Sequence, residues 1–126
     1  MHDKEFETVS ALPFQERYAH FIKRVADHEH LWSLWNDGWV LAADNDRHEV
    51  VPVWPHERYA AACAIDEWAG HTPRAIDLDE WLEKWIPGLE RDGRLVVVFL
   101  TPSSAGATVT PENMRQELED ELLWYE

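Results

Sequence analysis

"RLVVVFL", residues 94–100, is the most strand-like run in the chain, and its reading decides the fold class. Apolar residues follow one another from Leu95 to Leu100 without a polar alternate. A strand with one face in water alternates; an unbroken run marks a strand covered on both faces. Residues 94–100 therefore predict a central strand, and the flanking segments must supply its neighbours and its cover.

Upstream, Leu78, Trp81, Leu82, Trp85, Ile86 and Leu89 fall at helical spacing, opened by Asp77 with Glu80 three residues later as a capping pair. Pro87-Gly88 is expected to weaken that helix. Downstream, "TPSSAGA" predicts a flexible loop, "TVT" a short last strand, and Thr110-Pro111 an N-cap followed by proline in a first turn. The closing helix turns Met114, Leu118, Leu122 and Tyr125 inward and Glu117, Glu119, Asp120 and Glu121 mostly outward.

The N-terminal half is read the same way. Residues 1–9 are polar and are expected as a flexible tail, with Ser10 capping a helix that carries Pro13 in its first turn. Phe14, Tyr18, Phe21, Ile22 and Val25 make its apolar stripe, and Arg17, His20, Lys23 and Arg24 lie off it, on the outer side. In "WSLWNDGWV", Asp37-Gly38 predicts a two-residue type I′ hairpin. That register pairs Trp35 with Val40, placing Trp32, Leu34, Trp39 and Leu41 on one face and Trp35 with Val40 on the other. Residues 44–47 form a second turn, and "HEVVPVW" returns as a third strand, edge or irregular at Pro52. Pro55 opens a short helix with Tyr59, Ala62 and Cys63 buried, and "GHTPR" is a loop. The whole reads as a single α+β domain over residues 10–126. Its four- to five-stranded mixed or antiparallel sheet includes a hairpin or meander, and about four helices pack mainly on one face.

The charge is lopsided, with 25 acidic residues against 11 basic and a net charge of −14. Such a chain repels nucleic-acid phosphates and anionic membrane surfaces, and its electrostatic complement is a basic protein surface. Cys63 is the single cysteine, so neither an intramolecular disulfide nor a cysteine-built zinc site can form within one chain. "MHDKEFETVS" is charged where a signal peptide would be apolar, and no run approaches 18 apolar residues, which points to the cytosol.

"WNDGW", "VVPVWPHERYAAACAIDEWA", "AIDLDEWLEKWIPGLERDGRLVVVF" and "TPENMRQELEDEL" together resemble the bacterial family known as domain of unknown function 2750, over about residues 18–122. The family's proline directly after the strand phenylalanine is replaced by Leu100, with Pro102 further on, so the loop exit is expected to differ. A weaker likeness links the Pro-Val-Trp step to the N-terminal domain of the enhanced-serine-sensitivity B family. The resemblance implies a small cytosolic protein and brings no catalytic residue with it.

No chemistry-bearing motif completes itself. "HEH", 28–30, starts a zinc-protease pattern, but position 32 is Trp32. No Gly-x-Ser-x-Gly elbow surrounds Ser10, Ser33, Ser103 or Ser104, and Cys63 in an alanine-rich helix reads as an inert buried thiol. No metal, cofactor or catalytic residue is assigned. The eight tryptophans are what carries functional leverage. Trp35 and Trp54 are candidate interface anchors, with Glu117, Glu119, Asp120 and Glu121 steering a basic partner. The alternative is a small-molecule cleft lined by Trp35, Trp54, His56 and Tyr59.

Overall fold

A computed structural model describes residues 1–43 and 46–125. In chain order the elements are α1 (Asp3–Ser10), α2 (Phe14–His28), β1 (His30–Trp35), β2 (Ala42–Ala43), β3 (Glu49–Val53) and α3 (Glu57–Ala62). A 3-10 turn (Asp66–Trp68) and β4 (Thr72–Asp77) follow. Helix α4 opens at Leu78–Glu80, widens into a π-helical stretch at Trp81–Trp85 and continues as Ile86–Asp92. The chain closes with β5 (Leu95–Val98), β6 (Ala107–Val109), α5 (Pro111–Leu122) and a last 3-10 turn (Leu123–Tyr125).

The architecture is a single α+β domain, with strands in the orders β1-β4 and β2-β3-β5-β6. Strand β5 is central, parallel to β3 on one side and antiparallel to β6 on the other. Val96 and Val98 enter a helix-covered core with Val51, Val53, Phe21, Val25, Trp81, Met114 and Leu118. Val97 faces the other way and lines an open groove together with residues of the loop 100–106.

Proline explains how the two sheets join. Upstream of Pro52, Val50 pairs with Ala42; downstream, Trp54 exchanges two backbone hydrogen bonds with Trp32, at 2.8 and 2.9 Å. Pro52 has no N–H for a ladder, so it sits where β3 changes its antiparallel neighbour. The buried Ser33 hydroxyl donates to the Pro52 carbonyl at 2.7 Å, satisfying the acceptor left in the gap. Pro52 thus lies inside the sheet, not on an edge.

The hairpin expected around Asp37-Gly38 is replaced by a different pairing. Strand β1 runs along its full length against β4, His30 with Asp77 through Trp35 with Thr72. "GHTPR" is therefore largely strand. Trp35 bridges Trp39, not Val40, around a three-residue turn in which Asp37 takes a left-handed φ of 54°. The one-residue change in register leaves Leu41 43% exposed and Val40 buried. A six-residue ladder outweighs a local turn preference because each added cross-strand pair contributes. Of the second turn, Asp44 and Asn45 lie outside the described residues.

Other expectations are corrected locally. The supposed tail is helix α1: Phe6 stacks on Tyr59 at 5.2 Å, under an Arg58 that also pairs with Asp3 at 2.7 Å. Pro13 is the N-cap of α2, so Ser10 ends the preceding helix and does not cap this one. Phe14, at the first residue of α2, is 49% exposed. Pro55 does not open α3, which starts at Glu57 with His56 as its N-cap: His56 Nδ1 accepts from Arg58 N–H at 3.1 Å. Asp77 occupies the N-cap of α4 but makes no side-chain cap bond. Helix α4 does not stop at Pro87-Gly88. Ile86 N–H reaches back five residues to Trp81 O, and a turn widened in this way suits a proline that would crowd the carbonyl of a tight α-turn. Thr110 caps α5 as expected, accepting from Asn113 N–H at 3.1 Å. Met114 and Leu118 are buried, and the Tyr125 side chain lies outside what is described.

The largest departure concerns Arg17, expected on the outer side of α2 and in fact 2% exposed. Its Nε donates to Phe99 O at 3.1 Å, Nη1 to Leu12 O at 2.6 Å, and Nη2 to Ser104 Oγ at 3.0 Å and Ala105 O at 2.9 Å. Three of those acceptors lie more than 80 residues away in sequence. The guanidinium ties α2 to the turn that ends β5. In that turn Phe99 holds a left-handed φ of 58°, a conformation costly for a bulky residue unless its surroundings fix it.

Candidate functional site

Two groups of tryptophans, which share Trp81, organise this region; Trp32, Trp68 and the 84% exposed Trp124 belong to neither. Trp54 and Trp81 are closed in the core, and Trp54 Nε1 donates to Leu100 O at 2.9 Å. The second group forms a row. Trp35 meets Trp39 edge to face at 5.1 Å, Trp39 meets Trp85 at 5.0 Å, and Trp85 leans on Trp81 at 5.5 Å. Such pairs are each worth about 0.5–1.5 kcal/mol beyond their burial. The row runs from core to surface. Trp81 is fully buried, Trp85 and Trp39 are half-buried against the core, and Trp35 is half-buried at the outer end. There the Arg74 guanidinium covers the Trp35 ring at 4.1 Å, placed by the diagonal neighbourhood of Trp35 and Arg74 across the β1–β4 ladder.

Beside this row lies an open, mainly apolar trough of about 340 Å³, walled by Trp39, Leu41, Val51, Trp85 and Leu89, with Lys84, Asp92 and Arg94 at its rim. On the other side of α4 a second trough of about 400 Å³ is lined by Glu29, Asp77, Asp79, Glu80 and Glu83. Lys84 borders both, so the apolar and acidic troughs meet across one turn of helix. Arg94 is neutralised by Glu49 at 3.2 Å and Asp92 at 3.4 Å. The acidic side is thus the strongly charged one.

Trp35 stands on this surface. Trp54 and Tyr59 are buried and do not line an open cleft with it. His56 is half-buried and spent on capping α3; burial first, and then Arg24, hold its imidazole below the ordinary range. The small-molecule cleft of Trp35, Trp54, His56 and Tyr59 is therefore not assembled. Glu117, Glu119 and Asp120 are exposed on α5 and Glu121 half-buried. Glu117 accepts from Tyr18 O–H at 2.9 Å, and burial together with that carboxylate raises the Tyr18 phenol above its ordinary value. These acids lie on a different helix from the tryptophan row. Trp39, Trp85, Lys84 and the acids of α4 were missed as a site. Their signal was present in "WLEKW", where Trp81 and Trp85 bracket Glu83-Lys84, but helical spacing reads them as core alone.

Cys63 is buried, donates its S–H to Leu100 O at 3.5 Å, and is pushed up to about 11 by burial. A thiol so placed is a poor nucleophile. Among the described residues, no group of three or more His, Cys, Asp or Glu side chains is arranged to hold a metal ion, and no helix is long and apolar enough to cross a membrane.

A mixed sheet backed by helices, with a tryptophan row opening onto the surface, defines a small α+β domain. The chain belongs to the DUF2750 family, described as protein of unknown function, whose model matches residues 18–118. No curated protein matches it. Helix α1 lies outside the matched span; β1 to β6 and the whole tryptophan row lie inside it.

Proposed function

We propose that this protein is a non-catalytic interaction module, acting in the cytosol, that binds a basic segment of a partner protein carrying an apolar or aromatic anchor. One observation carries the reading: the apolar trough beside Trp39 and Trp85 and the acidic trough of α4 share a border at Lys84. An anchor side chain in the first places neighbouring lysines or arginines over Glu80 and Glu83 in the second. Tryptophan at a half-buried site is a common hot spot because its burial is completed only by the partner. The net charge of −14, with Glu117, Glu119 and Asp120 exposed on α5, favours the approach of a basic partner and speeds association more than it tightens the complex.

The test is selection of peptides from a displayed random library on the full-length protein, followed by affinity measurement at low and high salt. The expected consensus places Lys or Arg beside an aromatic or large aliphatic residue. Its binding should weaken about tenfold or more in Trp39→Ala and with added salt. No consensus, an acidic consensus, or affinity unchanged in both Trp39→Ala and Glu80→Gln/Glu83→Gln would overturn the reading.

A further inference from the structure

On the face of the sheet away from the helices lies a groove of about 470 Å³. Its floor is apolar, with Val50 and Val97 among its residues, and its wall is the loop 100–106, which presents Thr101, Ser103 and Ser104. In a chain with 25 acidic and 11 basic residues, the described lining of this groove contains no carboxylate. Its wall follows directly on the C-terminal end of β5.

Three features give the groove a polarity. Arg17, buried behind the wall, contacts only carbonyl and hydroxyl oxygens in its four hydrogen bonds, so no carboxylate among them cancels its charge. One of these bonds goes to Ser104 Oγ, whose own hydrogen donates to Ala105 O over a long 3.3 Å, a bond that a stronger incoming acceptor can replace. Thr101, 9% exposed, carries a buried Oγ1 with no partner among the described residues. An unpartnered buried hydroxyl costs stability, and a ligand that accepts from it removes that cost. The wall is also held in shape. A Cβ at Gly106 would collide with the Val98 carbonyl oxygen and come within 2.8 Å of Leu100 N, so the loop lies directly against the strained Phe99 turn.

We propose that this groove is a binding site for a small organic oxyanion, a phosphate ester or a carboxylate, distinct from the tryptophan face. The Thr101 hydroxyl, closed off in the free protein, turns outward to donate to the anionic head group, and Ser104 O–H gives up its long bond to Ala105 O to do the same. Arg17 supplies the positive field from behind them, and the floor at Val50 and Val97 takes an apolar body. The test is titration of the isotope-labelled full-length protein, followed by amide NMR, with phenyl phosphate, benzoate, inorganic phosphate and benzyl alcohol. Saturable shifts confined to residues 97–108, produced by an anion and not by benzyl alcohol, are expected. Preference for phenyl phosphate over benzoate identifies a phosphate ester, and the reverse a carboxylate. Arg17 variants endanger folding, so Thr101→Val is the deciding variant. It keeps shape, removes only the unpaired hydroxyl, and should weaken binding about tenfold with no fall in Tm. Equal binding of benzyl alcohol, shifts centred elsewhere, no saturable shift with any probe, or unchanged affinity in Thr101→Val would overturn the proposal.

Discussion

The turn ending β5 and the tryptophan row are held by opposite means. Around Phe99, a buried guanidinium makes four directed hydrogen bonds, a left-handed aromatic residue is held in place, and Gly106 leaves no space for a methyl group. Around Trp39 the side-chain contacts are between rings that meet edge to face, and one side remains open. Directed bonds fail together when one partner is lost, whereas an open apolar face loses only the area removed. The first region should therefore govern stability and the second recognition.

The comparison breaks most directly at Arg17. Arg17→Met keeps the aliphatic stem but leaves the Leu12 and Phe99 carbonyls without their donor, and the Ala105 carbonyl with only the long 3.3 Å bond from Ser104 Oγ. A loss of about 3–5 kcal/mol in urea unfolding is expected, at 1–3 kcal/mol for each buried group left unpaired. A loss below about 1 kcal/mol would mean that the Phe99 turn holds itself. Gly106→Ala should follow at about 2–3 kcal/mol, because the added methyl meets backbone atoms that no side-chain rotation can move. A neutral Gly106→Ala would show that the loop is not pressed against β5.

The effect of pH sharpens the contrast in α2 and at the start of α3, at two histidines near Glu5 of α1. His20 and His56 are both held below the ordinary imidazole value, by burial first and by Arg24 second. The groups facing them are Arg24 and Glu5 for both, with Glu57 and the N-terminal amine also near His56. The folded state resists their protonation. Below the unfolded value of 6.5 the unfolded chain takes up protons that the folded chain does not. Stability is therefore lost as pH falls from about 6.5 toward the folded values, and this contribution is flat above. In His20→Gln/His56→Gln, the change at His56 also removes the α3 cap, so the double variant is less stable at every pH, but the difference in Tm from the wild type should change with pH only in that window. Parallel curves from neutral to acid pH would refute the assignment.

The smallest expected effect on stability lies at the outer end of the tryptophan row. Trp35→Ala removes one edge-to-face pair and one cation–π contact with Arg74, together about 1–2 kcal/mol, much less than the ~3–5 kcal/mol typical of a buried tryptophan such as Trp81. A Trp35→Ala loss as large as that of Trp81→Ala would put Trp35 in the core and remove the distinction between the two regions.

Local rules determined much of this protein. The unbroken run after Arg94 marked the central strand, the spacing from Leu78 to Leu89 marked α4, and Thr110-Pro111 fixed the start of α5, because each signal depends on neighbours a few residues apart. The sequence also marked Trp35 as a ring apart from the core. Only the tertiary structure decided the partners. Asp37-Gly38 proposed a hairpin, but strand β1 found a longer ladder with β4, and with it Trp35 gained Arg74 and Trp39 as neighbours. Helical spacing placed Arg17 off the apolar stripe and so on the outer side of α2, whereas folding brought carbonyls from across the chain around it. Trp54, His56 and Tyr59 were legible as residue types, yet a core contact, a helix cap and a stacked ring absorbed them. Periodicity shows which side of an element is apolar; it carries no information on which distant groups arrive to cover that side or leave it open.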